Sequence, residues 1–127
     1  MDLIGFCLPE TLPPAHPAES MLQGHMAFVR VSSLAKLPSG TTMEVEAAGL
    51  TIALCNVAGA IHAIGGICPH QGGPLGHGAM HGEHIVCPWH AWEFSCITGR
   101  NDFSPDVGVA TYPVRLDGDD ILVDTGA

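Results

Sequence analysis

Cysteine and histidine stand together twice in this chain, as Cys68-Pro69-His70 and as Cys87-Pro88-Trp89-His90, with sixteen residues between His70 and Cys87. Each pair sets a soft thiolate beside an imidazole in a stretch rich in Gly and Pro. Thiolates and neutral imidazoles are the side chains that hold soft and borderline transition metals. Two of each on converging loops suit an iron–sulfur centre in which histidines replace cysteines at one iron. A structural Cys2His2 zinc site would use the same four residues. Zinc, however, commonly leaves about two to four residues within a ligand pair, and Cys-x-His is tighter than that habit.

Such loops need rigid elements to aim them, and the sequence supplies short strands. Phe28–Val31, Thr42–Glu46 and Leu50–Cys55 carry the apolar and β-branched runs of strands. Val57–Ile61 turns around Gly59 and leads into Ile61–Ile64. His77–His84 reads as a strand, a turn at Gly82, and a second strand that delivers Cys87. Asp117-Gly118 between alternating runs is a hairpin signal. Val31–Leu37 has room for one helical turn, and after residue 26 no segment shows a long helical period. The expected fold class is therefore all-β, a small antiparallel barrel or sandwich. Residues 1–25, with Pro9, Pro13, Pro14 and Pro17, read as a flexible N-terminal extension. Residues 26–127 read as one domain, with an inserted subdomain at about 65–100 that carries both Cys-His pairs.

The stretch Cys68-Pro-His-Gln-Gly-Gly-Pro-Leu75 resembles the first cluster loop of Rieske [2Fe–2S] ferredoxins. Cys87-Pro-Trp-His-Ala-Trp-Glu-Phe94 with Thr98-Gly99-Arg100 resembles the second loop and the strand and turn that follow it. Thr111–Leu116 and Asp120–Asp124 are similar to the closing hairpin of the same domains, so the likeness runs with gaps from about Val29 to Asp124. The resemblance implies one Rieske-type [2Fe–2S] cluster, with Cys68 and Cys87 on the inner iron and His70 and His90 on the outer, solvent-facing one. Pro69 and Pro88 would fix φ beside each cysteine, and Gly72 and Gly73 would let the backbone curve around cluster sulfurs.

Within that family the chain takes a side. Respiratory Rieske proteins join their loops by a disulfide at the positions that Gly73 and Trp89 occupy here. They also carry hydroxyl donors where this chain has Trp92 and Phe94. Without those donors the resemblance implies a reduction potential toward the low end of the range of roughly −150 to +300 mV, which is the soluble ferredoxin branch. The residue after the second histidine, usually Gly in the family, is Ala91.

Composition narrows the partners. Thirteen acidic against four basic residues in 127 give a formal charge of −9, the wrong sign for neutralising nucleic-acid phosphates and the right one for steering toward a basic patch on a protein. Of five cysteines, Cys68 and Cys87 alone have liganding neighbours. Cys55 sits in an apolar run as a buried structural thiol, and no disulfide framework is expected, as in a reducing cytoplasm. No apolar stretch reaches the roughly 20 residues of a membrane span. His77, His81 and His84 are expected to be solvated residues beside a turn, and Trp89 and Trp92 to pack the second loop. There is no nucleophile–base pair and no dinucleotide fingerprint. The expected function is thus electron transfer without catalysis. The resemblance implies a carrier from a flavin-dependent NAD(P)H reductase to a terminal ring-hydroxylating oxygenase. Its rival on the same domain is the small subunit of an assimilatory nitrite reductase.

Overall fold

The computed structural model describes residues 27–126 apart from Gln71, His90 and Pro105; the expected extension, residues 1–25, lies outside them. The strands are β1 (Phe28–Ser33), β2 (Thr42–Ala47), β3 (Leu50–Val57), β4 (Ala60–Gly65), β5 (Ala79–His81), β6 (His84–Val86), β7 (Glu93–Ser95), β8 (Thr111–Tyr112), β9 (Val114–Asp117) and β10 (Asp120–Asp124). They form three antiparallel sheets, ordered β1-β10-β9, β2-β3-β4-β8 and β5-β6-β7. Single 3-10 turns at Leu34–Lys36 and Leu75–His77 are the helical elements among the described residues, and no helix there is long and apolar enough to cross a membrane. The all-β expectation holds.

The middle sheet is the shared wall of two cores, and β3 shows why. Successive strand residues face opposite sides of a sheet. Ile52 and Leu54 point into a lower core with Leu37, Val45, Ala63, Ile121 and Val123. Ala53 and Cys55 point into an upper core with Ile64, Leu75, Ile85, Phe94 and three more cysteines. All four consecutive β3 residues are fully buried, so the strand reads as a continuous apolar run. The hairpins beside it are tight. Ala48-Gly49 (φ 52° and 78°) and Ala58-Gly59 (φ 52° and 96°) both place two residues in the left-handed region, the turn whose twist matches paired strands.

One segment departs from its sequence reading. Thr111–Leu116 reads as one arm of the closing hairpin, yet it divides between two sheets. Tyr112 and Thr111 pair with Ala63 and Ile64 of β4, whereas Val114–Asp117 pairs with β10. Pro113 sits at the switch; it has no N–H to continue a ladder, and its carbonyl instead accepts the Asp124 N–H at 3.1 Å.

Candidate metal centre

The two cysteine loops are closed in the same way. Cys68 follows β4, and its N–H donates to the Gly73 carbonyl at 2.8 Å; Cys87 follows β6, and its N–H donates to the Trp92 carbonyl at 2.7 Å. In both, the ligand-type cysteine opens a loop pinned to the residue five places on. The first loop gains a second tie, Gly72 N–H to Cys68 O at 2.8 Å. Leu75 N–H reaches Gly66 O at 2.9 Å and fastens that loop to the strand it left. The second is carried on the outer sheet, where Ile85 and Phe94 pair across β6 and β7 and are both fully buried in the upper core.

This anchoring brings the predicted cysteines together. Cys68 and Cys87 are 1% and 2% exposed and share one buried cluster. Burial pushes the Cys87 thiol above its ordinary pKa and the Cys68 thiol adds to this, against the Trp89 N–H that donates to Cys87 Sγ at 3.4 Å. The Cys87 thiol in this apolar pocket resists ionisation unless a cation is supplied, and a bound metal deprotonates a liganding thiol outright. Gly73 makes the room. A Cβ there would stand 2.5 Å from Cys87 Sγ and 3.4 Å from Trp89 Cβ. Gly73 and Trp89 are thus neighbours, as the respiratory likeness implies, but neither can form a disulfide. The donor set and the cradle fit an iron–sulfur group held by thiolates from within.

His70, by contrast, is exposed. Its imidazole lies flat against the Trp92 indole, with ring centroids 4.0 Å apart and planes 4° from parallel. His90, the fourth expected ligand, lies outside the described residues. Ala91 after it has φ 60°, the left-handed conformation that a glycine adopts without a Cβ penalty.

Two features of the site were not visible in the sequence. Phe103, 64% exposed, meets the Trp92 ring edge-on at 5.3 Å. The buried Asn101 places it: its Oδ1 accepts the N–H groups of Phe103 and Ser104 at 3.1 and 3.0 Å, while its Nδ2 donates to Glu93 O at 3.1 Å. An Asn followed two and three residues on by turn residues is the available signal. The second feature is a pair of further thiols. Cys55, the expected structural thiol, is fully buried in the same cluster as Cys96. The neighbouring Cys55 thiol and burial raise the Cys96 pKa well above normal. Met80 Sδ lies 4.0 Å from Cys96 Sγ. The three histidines between the two pairs turn elsewhere. His77 faces Glu44 at 3.5 Å, and His81 and His84 face Glu93 at 3.2 and 3.9 Å.

Comparison with known proteins agrees with this geometry. The Rieske [2Fe-2S] domain profile matches residues 27–113. The ferredoxin component of the naphthalene 1,2-dioxygenase system of Pseudomonas aeruginosa is 32% identical over 98 residues, covering 76% of this chain and 94% of that protein. The ferredoxin in a complex of reduced oxygenase and oxidized ferredoxin of carbazole 1,9a-dioxygenase superposes with a TM-score of 0.70 at 25% identity, over 78% of this chain and 94% of that one. A putative NADH-dependent nitrite reductase small subunit from Mycobacterium tuberculosis shares the fold, with a TM-score of 0.70 at 24% identity over 76% of this chain and 93% of its own. The chain belongs to the Rieske [2Fe–2S] domain family, and that cluster is its cofactor.

Proposed function

We propose that this protein is a one-electron carrier that takes electrons from a flavin-dependent NAD(P)H reductase and delivers them to a terminal ring-hydroxylating oxygenase in the cytoplasm. Residues 26–127 form the Rieske domain, and about 65–100 form its cluster-binding part. Cys68, His70, Cys87 and His90 hold the cluster. When bound, the cluster supplies a single reversible redox step. The chain's own residues do the rest. The buried thiols fix one side of the site in a water-poor pocket, while His70 faces outward from the tip of its loop. Around that tip Ile67, Trp89 and Phe103 are exposed, an apolar rim on a chain of charge −9, which suits a transient partner carrying a basic margin. Trp92 and the buried Phe94 offer no side-chain hydroxyl to the site, so the potential belongs toward the low end of roughly −150 to +300 mV.

The observation that carries the reading is the asymmetry of the site, with two buried adjoining thiols behind one exposed imidazole. The ferredoxin components among the relatives support the oxygenase assignment, whereas the nitrite reductase subunit supports the fold alone. The test is to purify the protein, reduce it, record its EPR spectrum, and then assay cytochrome c reduction through a candidate flavin reductase. The expected result is a red-brown protein with a Rieske signal that mediates this transfer. Colourless, zinc-loaded protein would remove the redox role, and co-purification with a sirohaem enzyme would move it to nitrite reduction.

A further inference from the structure

The stacked ring on His70 has a role beyond loop packing. Resting on the cluster assignment above, we infer that Trp92 is the positioning residue that holds the His70 imidazole in its ligating orientation, with Phe103 as its outer buttress. An exposed imidazole at a loop tip rotates freely about χ1 and χ2 unless something fixes it. Here Trp92 covers one face of the ring at 4.0 Å and 4°, and Phe103 packs edge-to-face with the indole at 5.3 Å and 77°. Trp92 is itself half-buried against the upper core that contains Cys68 and Cys87, so the stack ties His70 to the body of the domain.

The same residue reaches the other loop. Its backbone carbonyl accepts the Cys87 N–H at 2.7 Å. One residue thus braces a proposed ligand from each loop, the histidine through its side chain and the cysteine through its backbone. Residues that orient metal ligands tune both retention of the metal and its electronic structure. Covering one imidazole face also excludes water from one side of the ligand. Substituting the ring leaves the carbonyl in place, so the two functions can be separated.

The experiment uses the cluster-loaded protein and the variants Trp92→Leu, Trp92→Phe and Phe103→Ala. It measures nitrogen couplings and g-anisotropy by pulsed EPR of the reduced state, and iron loss to a chelator over time. For Trp92→Leu we expect altered couplings at one histidine nitrogen and iron loss faster by about tenfold, as for loss of a partner that orients a metal ligand. Trp92→Phe, which keeps an aromatic face, recovers most of both. Phe103→Ala shifts both in the same direction by less. A merely structural tryptophan would lower unfolding resistance without moving the nitrogen couplings, so unchanged couplings in loaded Trp92→Leu overturn the inference. If Trp92→Leu does not load, Phe103→Ala decides, and couplings and iron loss equal to wild type overturn it. A wild-type protein without a Rieske spectrum would instead sink the electron-carrier reading.

Discussion

The middle sheet faces two cores built from different side chains. Below it, Leu37, Val45, Ile52, Leu54, Ile121 and Val123 make an aliphatic interior with no sulfur among its fully enclosed members in the described residues. Above it, Cys55, Cys68, Cys87 and Cys96 share the space with Ile64, Leu75, Ile85 and Phe94. The lower core joins long paired strands, and branched side chains fill it. The upper core joins that sheet to strands of three residues each and to loops, where thiols and glycines fit. Labour is divided between them: one face of β3 sustains the fold, and the other supports the proposed metal centre.

The largest expected effect tests that division. Leu54→Ala, at 0% exposure in the lower core, should cost about 2–5 kcal/mol through lost transfer energy and a residual cavity. Denaturant unfolding would read the loss. The folded fraction should keep its EPR spectrum unchanged. A large spectral shift would show that the lower core also shapes the site.

Next come the four thiols, which are equally buried yet differ in role. Cys87→Ser should abolish cluster binding, read as iron per protein. Cys96→Ser should keep the cluster while burying a hydroxyl beside Met80 and Cys55, at a cost of about 1–3 kcal/mol. Loss of the cluster in both would merge the two classes of thiol that the comparison separates.

How much of this was legible from sequence follows the range of the interactions. The two Cys-His pairs show through spacing of two or three positions, and β3 shows through an apolar run between turn signals. The upward burial of Cys55 follows from strand alternation. The path of Thr111–Leu116 was not legible, because alternation continues across Pro113 while the pairing partner changes from β4 to β10. The Phe103–Trp92–His70 stack was hidden for a related reason. It joins three separate segments, and the Asn101 turn that carries Phe103 against the indole is held by long-range and side-chain bonds. Of the four proposed ligands, Cys68 and Cys87 converge as the spacing suggests, His70 lies outward beside them, and His90 falls outside the described residues.

Gly73→Ala probes the upper core where it is tightest. Its methyl group would stand 2.5 Å from Cys87 Sγ and 3.3 Å from Trp89 Cγ. Trp89 is half-exposed and able to swing aside, but the buried sulfur of a proposed ligand is not. The expected penalty is about 2 kcal/mol of the kind seen for overpacking, and it should fall on cluster retention rather than on unfolding of the lower sheet pair. Chelator-driven iron loss compared with urea unfolding separates the two. Unfolding at a lower midpoint with normal iron retention would place the strain outside the site.

The smallest effect should be a gain. Ala91 holds φ 60° on an exposed stretch of the second loop, so its methyl group gives little burial in return for the left-handed backbone. The steric cost of that conformation to an L-residue is roughly 1–2 kcal/mol, and glycine escapes it. Glycine, however, also has the more disordered unfolded chain, which takes back roughly 0.4–1 kcal/mol. The balance for Ala91→Gly is a net stabilisation of about 0.5 kcal/mol, visible as a small upward shift in the urea midpoint with no change in the EPR spectrum. Because the residue adjoins the second Cys-His pair but stands outside the upper core, a spectral change without a stability change would show that the loop's backbone, and not only its buried thiols and stacked rings, sets the electronic structure of the centre.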